Sequence, residues 1–326
     1  MMSKNITEKI GIVIIGRNEA KRLPLCFQSM DMWGCEKVYV DSDSSDDSVA
    51  IAKEHGIEVV ELDKRLPFSA ARARNEGFKH LLELNAELEF VHFIDGDCEL
   101  DKNWLLDAID VLDKQETVAV VFGRLREKHR NTSVYMKLCD MGWYKPAGFV
   151  DACGGIATYR RTVFESMGGF NALLIAGEEP ELCLRIRNTG WKVLSLDAEM
   201  GTHDSAMTQF TQWWTRCVKV GFGYMNGLDW GGWSKQYKSA LFWAGLPFFI
   251  VLLVLITNSS AGLLLFLLYP VQIYRIFKKA STGKLSRKDR FIYAFFCMLS
   301  KFPESQGILT YFLNKISSKN KVIQYK

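Results

Sequence analysis

A mostly apolar run that ends in two carboxylates constrains this chain more than any other feature. Residues 90–94 read Phe-Val-His-Phe-Ile, which is typical of a buried β-strand, and Asp95 and Asp97 follow with one glycine between them. In an α/β sheet, ligands bind in the crevice beyond the carboxyl ends of the strands. Carboxylate oxygens suit Mg²⁺ and Mn²⁺, ions that characteristically bind phosphate oxygens. The run therefore predicts a strand that ends at a metal-held diphosphate, although Asp-Gly-Asp is also a common turn.

The first half of the chain alternates between strand-like and helix-like segments. Strands are predicted over residues 10–15, 37–40, 57–62, 90–94 and 118–122. Helices are predicted over residues 19–30, 46–55, 70–84 and 104–112. Such alternation is typical of βαβ units, in which helices cover both faces of a parallel sheet. The sequence therefore predicts an α/β, Rossmann-like fold with a mainly parallel sheet.

Two uncharged runs distinguish the C-terminal third of the chain. Residues 240–256 contain no charged side chain, and residues 261–277 are interrupted only by Gln272 and Arg275. Each run is about 17 residues, or roughly 26 Å of helix, which is just enough for a hydrocarbon layer of about 30 Å. A buried helical hairpin in a soluble protein is the alternative at this length. We expect C-terminal membrane helices, with a transmembrane hairpin over residues 236–277.

Charged residues around the two runs predict their orientation. Six lysines and arginines lie between residues 278 and 290, whereas the turn at residues 257–260 has none. Because positively charged loops favour the cytoplasmic side, we expect the preceding domain and this basic loop to share the cytoplasm at the cell inner membrane. A third apolar stretch, residues 291–300, is followed by polar residues, which predicts an interfacial or re-entrant element. The predicted parts are thus residues 1–235, 236–277 and 278–326.

Charge and cysteine usage narrow the function classes. The net charge of the 326 residues is only +4, and much of the positive excess lies in the membrane-proximal tail. That distribution suits membrane lipids with anionic head groups, so no nucleic-acid partner is expected. The eight cysteines show no Cys-x-x-Cys spacing. Their pattern therefore favours reduced cytoplasmic thiols over a disulfide framework or a zinc site.

A second acidic cluster begins a predicted short helix. Pro180, preceded by Glu178 and Glu179, is predicted at the first helical position, and Gly190 follows the last turn. Three apolar residues share the helical face of Glu179: Leu182, Cys183 and Ile186. A carboxylate is usually excluded from such a face unless another group pairs with it or its proton affinity is used. We predict that Glu179 is a general base and that Glu178 only complements the helix N-terminus.

Five short motifs follow one another between residues 17 and 182. They read Arg17-Asn18-Glu19, Val40-Asp41-Ser42-Asp43-Ser44-Ser45-Asp46, Ala73-Arg74-Asn75-Glu76-Gly77, Asp95-Gly96-Asp97 and Glu178-Glu179-Pro180-Glu181-Leu182. In this order they resemble the motifs of the inverting family 2 glycosyltransferases, enzymes of the GT-A fold. The resemblance covers roughly residues 8–225, and five ordered motifs are far more specific than one.

The resemblance implies a nucleotide-sugar site and a metal site. Glu19 and Asp41 would lie at the nucleotide, with Asp41 accepting a hydrogen bond from the base, and Arg74 would border the nucleotide and the diphosphate. Asp95 and Asp97, the Asp-x-Asp motif, would bind the sugar nucleotide through Mg²⁺ or Mn²⁺.

The resemblance also implies the catalytic step. Glu179 would deprotonate the acceptor hydroxyl, although the family usually has Asp there and Pro180 follows it in this chain. His203, which follows a predicted strand over residues 192–196, is a candidate third metal ligand, as in some related enzymes, while a lone histidine is more often structural. Residues 212–216 do not match the Gln-x-x-Arg-Trp signature of processive members in spacing or order. We therefore expect transfer of one sugar rather than polymer synthesis.

Together with the residue pattern, the resemblance implies a transferase that moves a single sugar from a nucleoside-diphosphate sugar to a hydroxyl, with inversion. Membrane anchorage suggests a membrane-associated acceptor, lipid-linked or polysaccharide, as in the synthesis of bacterial surface polysaccharide. One alternative is a Mg²⁺-dependent sugar nucleotidyltransferase, but residues 15–19 lack the glycine-rich basic loop that such enzymes ordinarily use. The other is a membrane-tethered nucleotide-sugar binding protein without turnover.

Overall fold

The computed structural model describes residues 7–227, 232–280 and 285–316. Within them, one compact unit extends to Thr208 and a second begins at Gln209. Residues 281–284 of the predicted basic loop, and the predicted basic tail beyond residue 316, lie outside the described residues.

The first unit consists of one sheet and the helices around it. Its strands are β1 (Ile10–Gly16), β2 (Lys37–Asp41), β3 (Glu58–Glu61), β4 (Phe90–Asp95), β5 (Cys98–Leu100), β6 (Val118–Glu127), β7 (Gly148–Val150), β8 (Ala157–Arg160) and β9 (Lys192–His203). Its helices are α1 (Leu23–Gln28), α2 (Ser48–Glu54), α3 (Ala70–Leu84), α4 (Trp104–Lys114), α5 (Val134–Trp143), α6 (Arg161–Ser166) and α7 (Glu178–Asn188).

The strand order confirms the α/β class but not the mainly parallel sheet. The order is β3-β2-β1-β4-β8-β6-β9-β5, and β7 also pairs with β9. Among the described residues, four pairings are parallel, namely β1 with β2, β1 with β4, β2 with β3, and β6 with β9. The other four pairings are antiparallel and involve β5, β7 and β8. These three strands have only three or four residues each, too few to give a periodicity signal in the sequence.

The predicted elements lie close to the observed ones in the first four strands and in α3. The predicted first helix is longer than α1, because residues 17–22 form a loop and the helix begins at Leu23 with a proline in its first turn. Strand β9 continues past the predicted end at residue 196 to His203. Register shifts in its pairing with β6 let this long strand follow its neighbour.

Helix α3 packs tightly on the strands that lead to the carboxyl end of the sheet. Ser69 caps its N-terminus by accepting a hydrogen bond from the Arg72 amide. A Cβ atom at Gly77 would clash with Val13 and would lie 2.7 Å from Val40 Cγ2. Glycine at this position therefore lets the helix approach β1 and β2 closely, which places Arg74 one turn earlier against the sheet.

The second unit is helical in its described residues. Its elements are α8 (Phe210–Asn226), α9 (Ser234–Thr257), a 3₁₀ helix (Ser260–Leu267), α10 (Leu268–Lys279), α11 (Arg287–Leu299) and α12 (Lys301–Ile316). Two segments, Ser234–Thr257 and Ser260–Lys279, are long and apolar enough to cross a membrane. Large apolar side chains along them, such as Phe248 and Leu255, are exposed. An exposed apolar surface of this extent is typical of helices that face lipid.

Candidate active site

The carboxyl ends of β1, β2 and β4 bring the predicted site residues together. The parallel register pairs Gly16 of β1 with Asp41 of β2, and Ile15 of β1 with Asp95 of β4. Asp41 and Asp95 therefore end the two strands that flank β1. This is the edge at which α/β sheets bind ligands, so the topology puts both acids where the sequence predicts a nucleotide sugar.

Hydrogen bonds join the loops after β1 and β2. Asn18 has a positive φ of 56°, and its amide nitrogen donates to Ser44 Oγ at 2.9 Å while its side-chain oxygen accepts from the Ser45 amide at 2.8 Å. The Ala20 amide donates to Asp46 Oδ2 at 3.1 Å. The polar residues of the first two motifs thus fix each other's loops at the sheet edge.

Asp41 and Glu19 are buried and bind other residues of the chain. Asp41 accepts from Tyr39 Oη at 3.1 Å, from the Ser44 amide at 2.8 Å and from Ser44 Oγ at 2.5 Å. Burial, and then the charge of Asp41, raise the pKa of Tyr39, so this hydroxyl remains a donor. Glu19 pairs with Arg22 Nη2 at 2.5 Å. The nucleotide-binding roles of both acids stay predictions.

One buried arginine joins the two acidic motifs. Arg74, whose side chain is 3% exposed, donates from Nη1 to Glu178 Oε1 at 2.9 Å and to Glu179 Oε1 at 3.3 Å. Its Nη2 donates to Asp95 Oδ1 at 3.1 Å, and the guanidinium lies 5.5 Å from the centroid of the Phe170 ring. The sequence predicts Arg74 at the nucleotide. Its observed bonds instead go to Asp95 of the predicted metal site and to the acidic pair that contains Glu179, the predicted base.

Burial and charge act in opposite directions within this cluster. Burial alone would lower the pKa of Arg74, but the charges of Asp95, Glu179 and Glu178 outweigh it and raise that pKa. Burial, followed by the charge of Glu179, raises the pKa of Glu178 to about 8, although Arg74 opposes this shift. Glu178 is therefore a buried member of the cluster and not only a complement to the helix N-terminus. Helix α7 begins at Glu178, so Pro180 is its third residue rather than its first.

Two glycines lie close to Arg74 and to its neighbour Asn75. A Cβ atom at Gly155 would lie 2.5 Å from Arg74 Nη2 and 3.1 Å from Glu179 Oε1. Gly169 has a φ of +73°, and its Cβ would lie 2.6 Å from Asn75 Oδ1. Asn75 also accepts from the amide of Phe170 at 2.9 Å and donates to its carbonyl at 2.7 Å. Both glycines are thus close-approach positions of the backbone.

A second group of polar side chains lies at the Asp-x-Asp motif. The pairing of β5 with β9 sets Cys98 opposite His203, the last residue of β9. The ligand atoms of Asp97, Cys98 and His203 all lie within 4.8 Å of one another, and His203 Nε2 is 3.5 Å from Asp97 Oδ1. A carboxylate with an imidazole suits Mn²⁺ and other divalent transition ions, so these donors fit a metal. Asp95 lies outside this group of three, and its metal role stays a prediction.

Glu127, at the end of β6, is a polar residue of this region that the sequence does not indicate. Its Oε2 lies 3.4 Å from His203 Nδ1, and its Oε1 accepts from the Ser205 amide at 3.1 Å. Trp143 packs against the imidazole with ring centroids 4.6 Å apart. Glu127 and His203 are 76 residues apart, and only the pairing of β6 with β9 brings them together.

Comparison with known proteins identifies the first unit. The model of the family described as Glycosyl transferase family 2 matches residues 11–168. The chain carries a family 2 glycosyltransferase domain. The matched segment contains the first four motifs, and the fifth follows it at residues 178–182. The family predicted from the motifs and their order is thereby confirmed.

Similar proteins agree with this assignment. An uncharacterized glycosyltransferase of Rickettsia conorii is 44% identical over 59 residues, which are 18% of this chain and 21% of that protein. The match therefore spans about a fifth of the relative's length. The mannosyltransferase PcManGT from Pyrobaculum calidifontis, solved in complex with GDP-Man and Mn²⁺, is 13% identical over 96% of this chain and 88% of its own, with a TM-score of 0.55. At that identity the likeness concerns the fold alone, and it supports the GT-A type of the family 2 domain.

Proposed function

We propose that this family 2 domain transfers a single sugar from a nucleoside-diphosphate sugar to a hydroxyl of a membrane-associated acceptor, with inversion at the transferred carbon. The observation that carries the proposal is the bridge made by Arg74. One buried guanidinium binds both Asp95, the first acid of the Asp-x-Asp motif, and Glu179, the predicted base. A group for the leaving diphosphate and a group for the incoming hydroxyl thus lie within the reach of one side chain.

On the donor side, Asp95, Asp97 and His203 would hold Mg²⁺ or Mn²⁺. A divalent cation, when bound there, stabilises the negative charge that develops on the departing nucleoside diphosphate. The similar fold of a mannosyltransferase solved with GDP-Man and Mn²⁺ supports a donor and metal of this class. Glu19 and Asp41, fixed at the ends of β1 and β2, would contact the nucleotide.

On the acceptor side, Glu179 would remove the proton of the attacking hydroxyl. Its side chain is 16% exposed, whereas that of Glu178 is 6% exposed, so Glu179 is the more accessible of the two carboxylates. Glu179 also makes the longer bond to Arg74, at 3.3 Å against 2.9 Å. The hydroxyl oxygen bonds to the sugar carbon as the bond to the diphosphate breaks, and the proton goes to Glu179. Attack on the face opposite the leaving group inverts the carbon.

The proposed location and acceptor rest on the apolar segments of the second unit. We place the chain at the cell inner membrane with the family 2 domain in the cytoplasm, because basic residues follow the apolar segments Ser234–Thr257 and Ser260–Lys279. An enzyme tethered to membrane lipids meets lipid-linked or membrane-assembled glycans at high local concentration. A lipid-linked or polysaccharide acceptor is therefore the class that we propose.

The test begins by identifying a donor. A panel of nucleoside-diphosphate sugars is screened for thermal stabilisation of the full chain in detergent, with and without Mn²⁺. With the selected donor, Glu179→Gln should keep donor binding but lower the rate of transfer to membrane-derived acceptors by about 10²-fold or more. Glu165→Gln, at an exposed ion pair with Arg161, is the matched control and should transfer at the wild-type rate. Unchanged transfer by Glu179→Gln would refute the base assignment.

A further inference from the structure

The two ring nitrogens of His203 face two different carboxylates. Nε2 lies 3.5 Å from Asp97 Oδ1, on the side of the proposed metal site. Nδ1 lies 3.4 Å from Glu127 Oε2. Trp143 packs edge-on against the ring. The imidazole is thus held from three sides, with one nitrogen directed at each acid.

Glu127 is itself held in place. Its side chain is fully buried, and its Oε1 accepts a hydrogen bond from the Ser205 amide at 3.1 Å. Its own amide donates to Asp140 Oδ1 at 3.1 Å, and Asp140 pairs with Arg130 at 3.1 Å. Strand pairing sets Glu127 directly opposite His203. These contacts hold the carboxylate with Oε1 toward the Ser205 amide and Oε2 toward His203.

The tautomer of a neutral histidine decides which nitrogen can bind a metal. A neutral imidazole carries one N–H donor and one acceptor nitrogen, and only the acceptor offers a lone pair to a cation. Histidines that bind metals usually donate their other N–H to a carboxylate or carbonyl, which fixes both the tautomer and the orientation of the ring. Glu127 occupies that position relative to His203.

We propose that Glu127 is a positioning residue of the metal site: its carboxylate accepts a hydrogen bond from Nδ1–H of His203, which leaves the lone pair of Nε2 free as a ligand beside Asp97. The inference rests on the proposed metal site. It adds a residue that lies outside the five motifs and that contacts neither substrate nor the reacting atoms.

The substitution Glu127→Gln tests this role because it keeps the shape of the side chain. The Ser205 amide is a donor, so the amide oxygen of the new glutamine will face it and the NH₂ group will face His203. An NH₂ group donates to Nδ1, which moves the histidine proton to Nε2 and removes the lone pair from the metal side. We therefore expect the Kd for Mn²⁺ to rise by about 10- to 100-fold.

The experiment measures Mn²⁺ binding by electron paramagnetic resonance of the free ion, using the full chain in detergent. Wild type, Glu127→Gln, His203→Ala and a control, Glu199→Gln, are compared. Glu199 lies on the same strand as His203, but its side chain is 47% exposed and pairs with Arg126. We expect Glu127→Gln to bind Mn²⁺ more weakly than wild type and His203→Ala to bind it at least as weakly as Glu127→Gln. The control should bind Mn²⁺ with the wild-type Kd.

Two outcomes of the Mn²⁺ binding experiment would overturn the proposal: one removes only the role of Glu127, and the other also removes His203 from the metal site. Weak Mn²⁺ binding by His203→Ala with normal binding by Glu127→Gln would remove the role of Glu127 and leave the metal site intact. Wild-type binding by His203→Ala would instead remove the histidine from the metal site and the inference with it. If Glu127→Gln fails to fold, NMR of wild type with its five histidines labelled with ¹⁵N can still report which ring nitrogen of His203 carries the proton. In wild type the proposal requires the proton on Nδ1 of His203, and a proton on Nε2 would contradict it.

Discussion

Replacing Arg74 by methionine removes the charge that holds the acidic cluster together while keeping most of the buried volume. The wild-type guanidinium makes three charge-assisted hydrogen bonds, to Glu178 at 2.9 Å, Asp95 at 3.1 Å and Glu179 at 3.3 Å. Glu178 is the most buried of these acids, and with a pKa of about 8 it is partly ionised at pH 8. Without Arg74 that carboxylate would have to protonate fully or remain as an unpaired buried charge.

The magnitude follows from that burial. Removing one partner of a buried ion pair costs about 3–5 kcal/mol, because an uncompensated charge is left behind. For a domain of about 200 residues, each kcal/mol lowers the midpoint of thermal unfolding by about 2–4 °C. Arg74→Met should therefore lower the midpoint by about 6–20 °C at pH 8. At pH 5 the loss should be smaller, since Glu178 is then already protonated in wild type and leaves no unpaired charge when Arg74 is removed.

The assay is thermal unfolding of the detergent-solubilised chain, followed by circular dichroism at pH 8 and pH 5. Arg65→Met is the control, because the side chain of Arg65 is 88% exposed and its ion pair with Asp63 lies in solvent. We expect no measurable change in its midpoint. The double variant Arg74→Met/Glu178→Gln should recover part of the loss. A change of less than 2 °C in Arg74→Met, or no recovery in the double variant, would refute the account of the cluster.

Three further predictions concern the same region. Gly155→Ala should cost about 1–3 kcal/mol in the free energy of unfolding and slow transfer, because its Cβ would lie 2.5 Å from Arg74 Nη2; Gly154→Ala, which meets no atom within 4 Å, should change neither quantity. The pKa of Glu178 is about 8 in the folded chain and about 4.3 in an unfolded one, so the unfolded state binds fewer protons between these values and stability falls as pH rises through them. Glu178→Gln should flatten that fall in denaturant unfolding measured from pH 4 to pH 9. Asp97→Asn should weaken Mn²⁺-dependent donor binding, measured by calorimetric titration, and should lower turnover in a transfer assay as well. Equal donor affinity with and without Mn²⁺ in wild type would count against the metal site.

The sequence predicts those parts of the fold that depend on local pattern. The first four strands are continuous apolar or alternating runs, and each observed strand begins and ends within two residues of the prediction. Helix α3 coincides with its prediction at residues 70–84 because its N-cap serine and its apolar spacing both act locally. The order of the five motifs was enough to name the family.

What the sequence could not predict depends on contacts between distant segments. The antiparallel strands β5, β7 and β8 are held by their neighbours rather than by their own residue pattern. Arg74 meets Glu178 across 104 residues of sequence. That contact makes Glu178 a buried acid, whereas its position alone predicts only an effect on the helix dipole. Glu127 lies opposite His203 only because β6 pairs with β9, and no local pattern in the sequence indicates that contact.

The proposed reaction requires a cation at the Asp-x-Asp motif and a base at Glu179 on opposite sides of the transferred sugar. Crystals grown with Mn²⁺ and the nucleoside-diphosphate sugar selected by the screen would test it, with data collected at the manganese absorption edge. The account predicts an anomalous peak in coordination contact with Asp97 and His203, and a sugar carbon that lies between the diphosphate and the Glu179 carboxylate. A manganese peak away from both ligands, or a sugar that Glu179 does not face, would contradict it.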